Sequence, residues 1–113
     1  MQFKRPKNNE KYTWTNHAVD KMMYYGISEG VVRRVVHTPH RAEEGVAENT
    51  VAVMQSAGTQ KNPKEIWVMY QKVKGKKRVI SAWRYPGISP KGNKIPIPDD
   101  VLEDLCEFNI NFE

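Results

Sequence analysis

The feature that most constrains this chain is a change of hydrophobic period at Pro39. Before it, apolar residues recur at helical spacing; after it, they gather in short runs rich in β-branched and aromatic residues. Helices followed by strands point to an α+β fold. A length of 113 residues suits one core, so residues 1–113 are expected to form a single domain.

The helical part carries its own punctuation. Thr15 can accept from first-turn amides as an N-cap, Ala18, Met22 and Tyr25 share one face, and Gly26 supplies a left-handed stop. The spacing predicts a helix over about 16–25. Ser28 then caps a second helix from Glu29 to about His37, with Ile27 and Val32 as a hydrophobic staple and Val31, Val32, Val35 and Val36 as its stripe. Pro39 closes it. Valine is a weak helix former, so a strand is the alternative for this segment, although the paired spacing favours helix. With only Gly26 and Ile27 between them, the two would form an N-terminal helical hairpin over 15–38.

Four β-rich runs follow, Arg41 to Val46, Thr50 to Gln55, Glu65 to Val73 and Lys76 to Tyr85, and predict a four-stranded antiparallel sheet over 40–86. The last two read as a hairpin around Lys74-Gly75. An even loop places Trp67, Met69, Gln71, Arg78, Ile80, Ala82 and Arg84 on one face, and Ile66, Val68, Tyr70, Lys72, Lys77, Val79, Ser81, Trp83 and Tyr85 on the other; an odd loop with a bulge would exchange the pairings. One face should pack on the helices and the other form a partly apolar, basic surface. Residues 87–98, rich in Gly and Pro, read as an irregular connection that hugs the sheet through Ile88, Ile95 and Ile97. Asp99 or Asp100 can cap a short acidic helix over 99–108, with Val101, Leu102, Leu105 and Phe108 inward and Glu103, Asp104 and Glu107 outward.

Charge is sorted along the chain. Residues 1–60 hold eight Lys or Arg against six Asp or Glu, residues 61–94 ten against one, and residues 95–113 none against six. The basic middle segment, with Trp67, Tyr70, Trp83 and Tyr85 among its charges, suggests a surface that meets phosphates, and the acidic tail could lie across it. A mean hydropathy of −0.71 and the lack of a long apolar run argue against a membrane span and for a cytoplasmic protein. Cys106 stands alone, which excludes an intrachain disulfide and a cysteine-based zinc site and suggests a buried thiol. Three histidines show no metal spacing, and no phosphate-binding glycine loop or nucleophile elbow is present, so no cofactor is expected.

The run His17-Ala18-Val19-Asp20-Lys21-Met22, followed by Gly26-Ile27-Ser28 and a second helix ending His37-Thr38-Pro39, resembles the HAxxRM...GIS opening of a small family grouped with the BrnT and RelE type toxins of bacterial toxin-antitoxin systems. The run Arg78 to Arg84 is similar to a strand near the end of the BrnT-like sheet. The resemblance spans roughly Tyr12 to Tyr85; Lys21 and Tyr25 stand where the family usually has arginines, and the acidic tail has no counterpart. What it implies is a two-helix layer on an antiparallel sheet and a metal-independent endoribonuclease directed at RNA, acting alone or on ribosomes, with an acidic antitoxin as a protein partner.

Chemistry of that kind needs a base, cationic donors and a proton source. The candidates are His17 as base or acid, Lys21 one turn later on the same face, the planar fork of Arg84 and the phenol of Tyr85, although strand alternation sends Arg84 and Tyr85 to opposite faces. Lys72, Lys74, Lys76, Lys77 and Arg78 are the candidate nucleic-acid contacts. Each has a plainer role beside it. His17 can be a structural hydrogen bonder, Arg84 can pair with Glu65, His37 and His40 can cap or face solvent, and Trp67 and Trp83 can be core. The second function class is therefore a non-catalytic module that binds nucleic acid or an acidic protein.

Overall fold

The computed structural model describes residues 3–45, 49–90 and 95–107, the last four of these by backbone alone. Among them the chain runs β1 (Tyr12–Trp14), α1 (Asn16–Tyr25), α2 (Glu29–His37), β2 (Arg41–Glu44), β3 (Thr50–Gly58), β4 (Pro63–Val73), β5 (Lys76–Pro86) and α3 (Asp99–Glu107). The strands form one mixed sheet in the order β1-β5-β4-β3-β2, with β1 parallel to β5 and the other pairs antiparallel. The expectation of four antiparallel strands is thus corrected to five in a mixed sheet. Strand β1 was hidden by its length, since three residues ahead of a helix cap are too few to display a period of two.

Both N-terminal helices form where the sequence placed them. Thr15 accepts from the Ala18 amide at 3.0 Å, Ser28 from the Val31 amide at 3.3 Å, and Gly26 closes α1 with φ of 67°. The strand alternative for the valine-rich segment fails because its stripe has a helix-shaped place to go: Val32 and Val35 are fully buried, and Ile27 beside them completes the staple. The helices are seated by the sheet rather than as a free-standing hairpin, α1 lying along β5 and α2 over β3 and β4.

The β4–β5 hairpin turns through Lys74 and Gly75 with φ of 51° and 80°, the two positive values that a tight two-residue hairpin turn requires. Near the turn the even-loop pairing holds, with Lys72 opposite Lys77 and Tyr70 opposite Val79. A register shift at Met69/Tyr70 then leaves Ile80 as an extra residue on β5. Beyond it the faces exchange, so Ala82 and Arg84 join Ile66 and Val68, while Trp83 joins Trp67.

Two cores result. On the helical face, Trp14, Val19, Met22, Ile27, Val32 and Val35 close over Val53, Val68, Val79 and Ala82. On the other face, Trp67 and Trp83 stack 6.1 Å apart within 5° of parallel, beside Met54 and Met69 and beneath Ile95, Ile97 and Val101. The partly apolar basic surface expected there is therefore a second core, and both indoles are core residues with no exposure. Helix α3 belongs to this layer, because Val101 is fully buried in it. It lies over the tryptophan face and not over a basic one. Leu102, expected inward, is 39% exposed, and the side chains of Leu105 and Cys106 and the whole of Phe108 lie outside the described residues.

Buried charges fasten the connection after β5 to this second face. Glu65, 2% exposed, accepts from Trp67 Nε1 at 3.0 Å, from the Ser89 amide at 3.1 Å and from Ser89 Oγ at 2.6 Å. The same Ser89 hydroxyl accepts from Arg41 Nη1 at 2.9 Å, and the Arg41 guanidinium lies 5.2 Å from the Trp67 ring centre. A carboxylate and a guanidinium that would each be costly to bury alone are joined through one hydroxyl. No helix among the described residues is long and apolar enough to cross a membrane.

Candidate functional site

The four residues singled out for catalysis sit on or beside the seam between α1 and β5; two of them hold it together and a third joins α1 to α3. His17, 6% exposed, hydrogen-bonds through Nε2 to Ser81 Oγ at 3.0 Å, and Ser81 is itself fully buried. Lys21 donates to Asp100 at 2.7 Å and so ties α1 to α3. Arg84 donates through Nε to the Tyr25 carbonyl at 2.7 Å and through Nη2 to the Gly26 carbonyl at 3.1 Å. These carbonyls are at the C-terminal end of α1, where amide acceptors lack helical partners and a cation opposes the helix dipole. The expected pairing of Arg84 with Glu65 is absent, because the register sets Arg84 opposite Ile66 and Glu65 opposite Tyr85. Tyr85 lies on the second face, packed against the tryptophan cluster and away from Arg84.

Electrostatics at the seam follow from these contacts. Burial pushes the Asp100 carboxyl up, but the Lys21 hydrogen bond and charge, joined by the Tyr25 hydroxyl, override it and hold the group below its ordinary value. Burial, with the Asp100 charge and hydrogen bond, pushes the Tyr25 phenol up to about 12. The result is a closed Lys–Asp–Tyr cluster, and none of the four candidate catalytic residues lines the two grooves that flank the start of α2.

Cations instead converge beside α2. A groove of about 770 Å³ brings together Lys11 ahead of β1, Tyr12 in it, Arg33, Arg34 and His37 from α2, and Lys77 from β5. The parallel pairing of Tyr12 with Lys77 draws Lys11 to the hairpin, and the Lys77 amide donates to the Lys11 carbonyl at 2.9 Å. Helix α2 supplies the opposite wall, since its valine stripe faces the sheet and leaves Arg33, Arg34 and His37 exposed. Gln55, buried beneath the end of α2, accepts from Arg34 Nε at 3.0 Å and donates to the Thr38 carbonyl at 2.8 Å, which anchors the arginine side chain by that nitrogen.

Little opposes this charge. Glu29 meets Arg33 at 3.3 Å on the helix surface, an exposed pair of small worth. The sequence has no acid from Ile66 to Lys94, and Glu65 just before it is buried on the second face with partners of its own. Lys72 and Lys77 stand directly opposite one another, a like-charge pair that weakens a hairpin. Tyr12 has Arg33 at 5.8 Å and Lys77 at 5.9 Å from its ring centre, and burial, then the nearby Tyr12, holds the Tyr70 phenol above its ordinary value and neutral. The arrangement can attract a chain of phosphates, with arginine forks for directional contact and lysines for charge.

Of the five expected nucleic-acid contacts, Lys77 lines the groove and Lys72 is its cross-strand neighbour at the hairpin end. Lys74 and Lys76 flank Gly75 at the turn, and Arg78, one position beyond Lys77, alternates to the other side of the sheet. Sequence reasoning missed Lys11, Arg33, Arg34 and His37. The α2 cations were findable, because they occupy the positions its apolar stripe leaves to solvent; Lys11 was not, because its position depends on an unrecognised parallel strand. His40 accepts from the Ser56 amide at 2.9 Å and is structural. Among the described residues, no group of three or more His, Cys, Asp or Glu is placed to hold a metal ion. No family model, curated protein or solved structure matches the chain.

Proposed function

We propose that this chain is an RNA-binding protein whose cationic groove grips the phosphate backbone. The observation that carries the reading is the convergence of Lys11, Arg33, Arg34, His37 and Lys77 on one groove, next to a lysine-rich hairpin end with no exposed acid of its own. Contacts of this kind supply affinity and position without reading bases. The toxin-type ribonuclease implied by the resemblance has weaker support, since His17, Lys21 and Arg84 each satisfy a partner inside the fold and Tyr85 points elsewhere.

The test is a binding titration of the purified chain against labelled RNA, run with a chelator-resistant cleavage assay on the same RNA alone and on ribosomes. Binding that weakens steeply with salt and leaves the RNA intact is expected. Absence of binding at low salt contradicts the proposal, and cleavage abolished by changing His17 in a still-folded variant would restore the catalytic reading.

A further inference from the structure

A second groove of about 740 Å³ adjoins the cationic one and differs from it in chemistry. It lies between the N-terminal segment and the α1–α2 connection, with Phe3, Met23 and Ile27 as apolar lining and Lys4, Arg5 and Lys7 on the same segment as Phe3. Met23 is 55% exposed on a helix whose other methionine, Met22, is fully buried. Gly30 lines both grooves. It sits in the first turn of α2, where glycine weakens a helix, and an added Cβ would meet nothing closer than Ser28 Oγ at 3.9 Å. Packing therefore does not demand glycine here, and its effect is to leave the surface low where the two grooves meet.

The cationic groove has no aromatic face open to a base. The Tyr12 ring is approached by Arg33 and Lys77 and stacks on Trp14 at 5.8 Å and 20°. The second groove supplies what the first lacks: an apolar floor of a volume suited to a nucleotide-sized group, with cations beside it for the adjoining phosphates. Glu29, the one acid among its described lining residues, can accept from a base amino group while it stays paired with Arg33.

We infer that this apolar groove holds a nucleobase of single-stranded RNA whose backbone continues past Gly30 into the cationic groove. The inference rests on the RNA-binding reading and adds strand selectivity to it, because a base inside a duplex cannot enter. Paired RNA reaches only the cationic groove.

The experiment compares three probes of equal length on the unmodified chain: a single-stranded RNA, the same RNA as a duplex, and an abasic strand with the same phosphates. The single strand is expected to bind roughly tenfold more tightly than the abasic strand. Met23→Gln, which keeps length and helix propensity while making the floor polar, is expected to narrow that gap to roughly threefold or less without changing affinity for the abasic strand. Equal binding of normal and abasic strands overturns the inference and leaves the cationic-groove reading standing. Failure of every probe to bind overturns both.

Discussion

The seam between α1 and β5 and the groove beside α2 contain similar side chains in opposite circumstances. At the seam, Lys21 is joined to Asp100 and Arg84 to the carbonyls that end α1, so each cation has an acceptor placed for it by the fold. In the groove, Arg33 and Lys77 share the ring of Tyr12, Glu29 meets Arg33, Lys11 lines the same wall, and the hairpin sets Lys72 against Lys77. Cations with dedicated acceptors stabilise the molecule, whereas cations crowded together cost stability that only an external anion can relieve. Substitutions in the two regions should therefore have opposite readouts: stability in one, RNA affinity in the other.

The largest effect is expected where charge is most deeply built in. Glu65→Ala leaves Trp67 Nε1, the Ser89 amide and the Ser89 hydroxyl without their buried acceptor and should cost about 3 to 5 kcal/mol in denaturant unfolding. RNA affinity of the protein that remains folded should not change. Arg84→Ala removes two charge-assisted bonds from the end of α1 and should cost about 1.5 to 3 kcal/mol, again with RNA affinity unchanged. A variant of Arg84 that keeps its melting temperature and loses RNA binding would erase the distinction between the regions.

Acidity sharpens the same contrast at the seam. The Asp100 carboxyl is held below its ordinary value of 3.8 in the fold, so its contribution is present above that value and lost as pH falls through the lower folded one. Tyr25 works in the other direction: with the phenol raised from 10.0 to about 12, its contribution is present below 10.0 and lost as pH rises toward 12. Asp100→Asn should cost about 1 kcal/mol or less at neutral pH, because the side chain is 43% exposed and screened. It should also bring the tyrosinate transition of Tyr25 back toward the ordinary range in an ultraviolet titration. An unmoved transition would mean that burial alone sets the Tyr25 value.

The smallest expected change is a gain. Gly30→Ala should stabilise α2 by about 0.5 to 1 kcal/mol, since the backbone there is helical and a methyl group has room. A loss of stability would show that this position is packed more tightly than its surroundings indicate.

The elements were legible wherever chemistry was local. Thr15, Gly26 and Ser28 announced the ends of two helices, and Lys74-Gly75 announced a turn, because caps and tight turns depend on a few adjacent residues. What depended on distant partners was hidden. Nothing near Ile80 in the sequence declares the bulge, yet it moves Arg84 to the helical face and Trp83 to the other. Tyr12 to Trp14 become a strand only because β5 offers an edge, and that pairing brings Lys11 into the groove. The basic composition of the middle segment was visible from the start, but the site combines one of its lysines with cations from β1's flank and α2.

The central claim is that the crowded cations, and not the built-in ones, meet RNA. The most direct measurement is the salt dependence of RNA affinity for Arg33→Ala/Lys77→Ala beside that for Arg84→Ala. The double variant should lower the slope of log affinity against log salt by roughly 0.7 for each phosphate contact removed, with stability changed by only about 0.5 kcal/mol, while Arg84→Ala keeps the original slope. An unchanged slope in the double variant, or a reduced one in folded Arg84→Ala, would contradict the account.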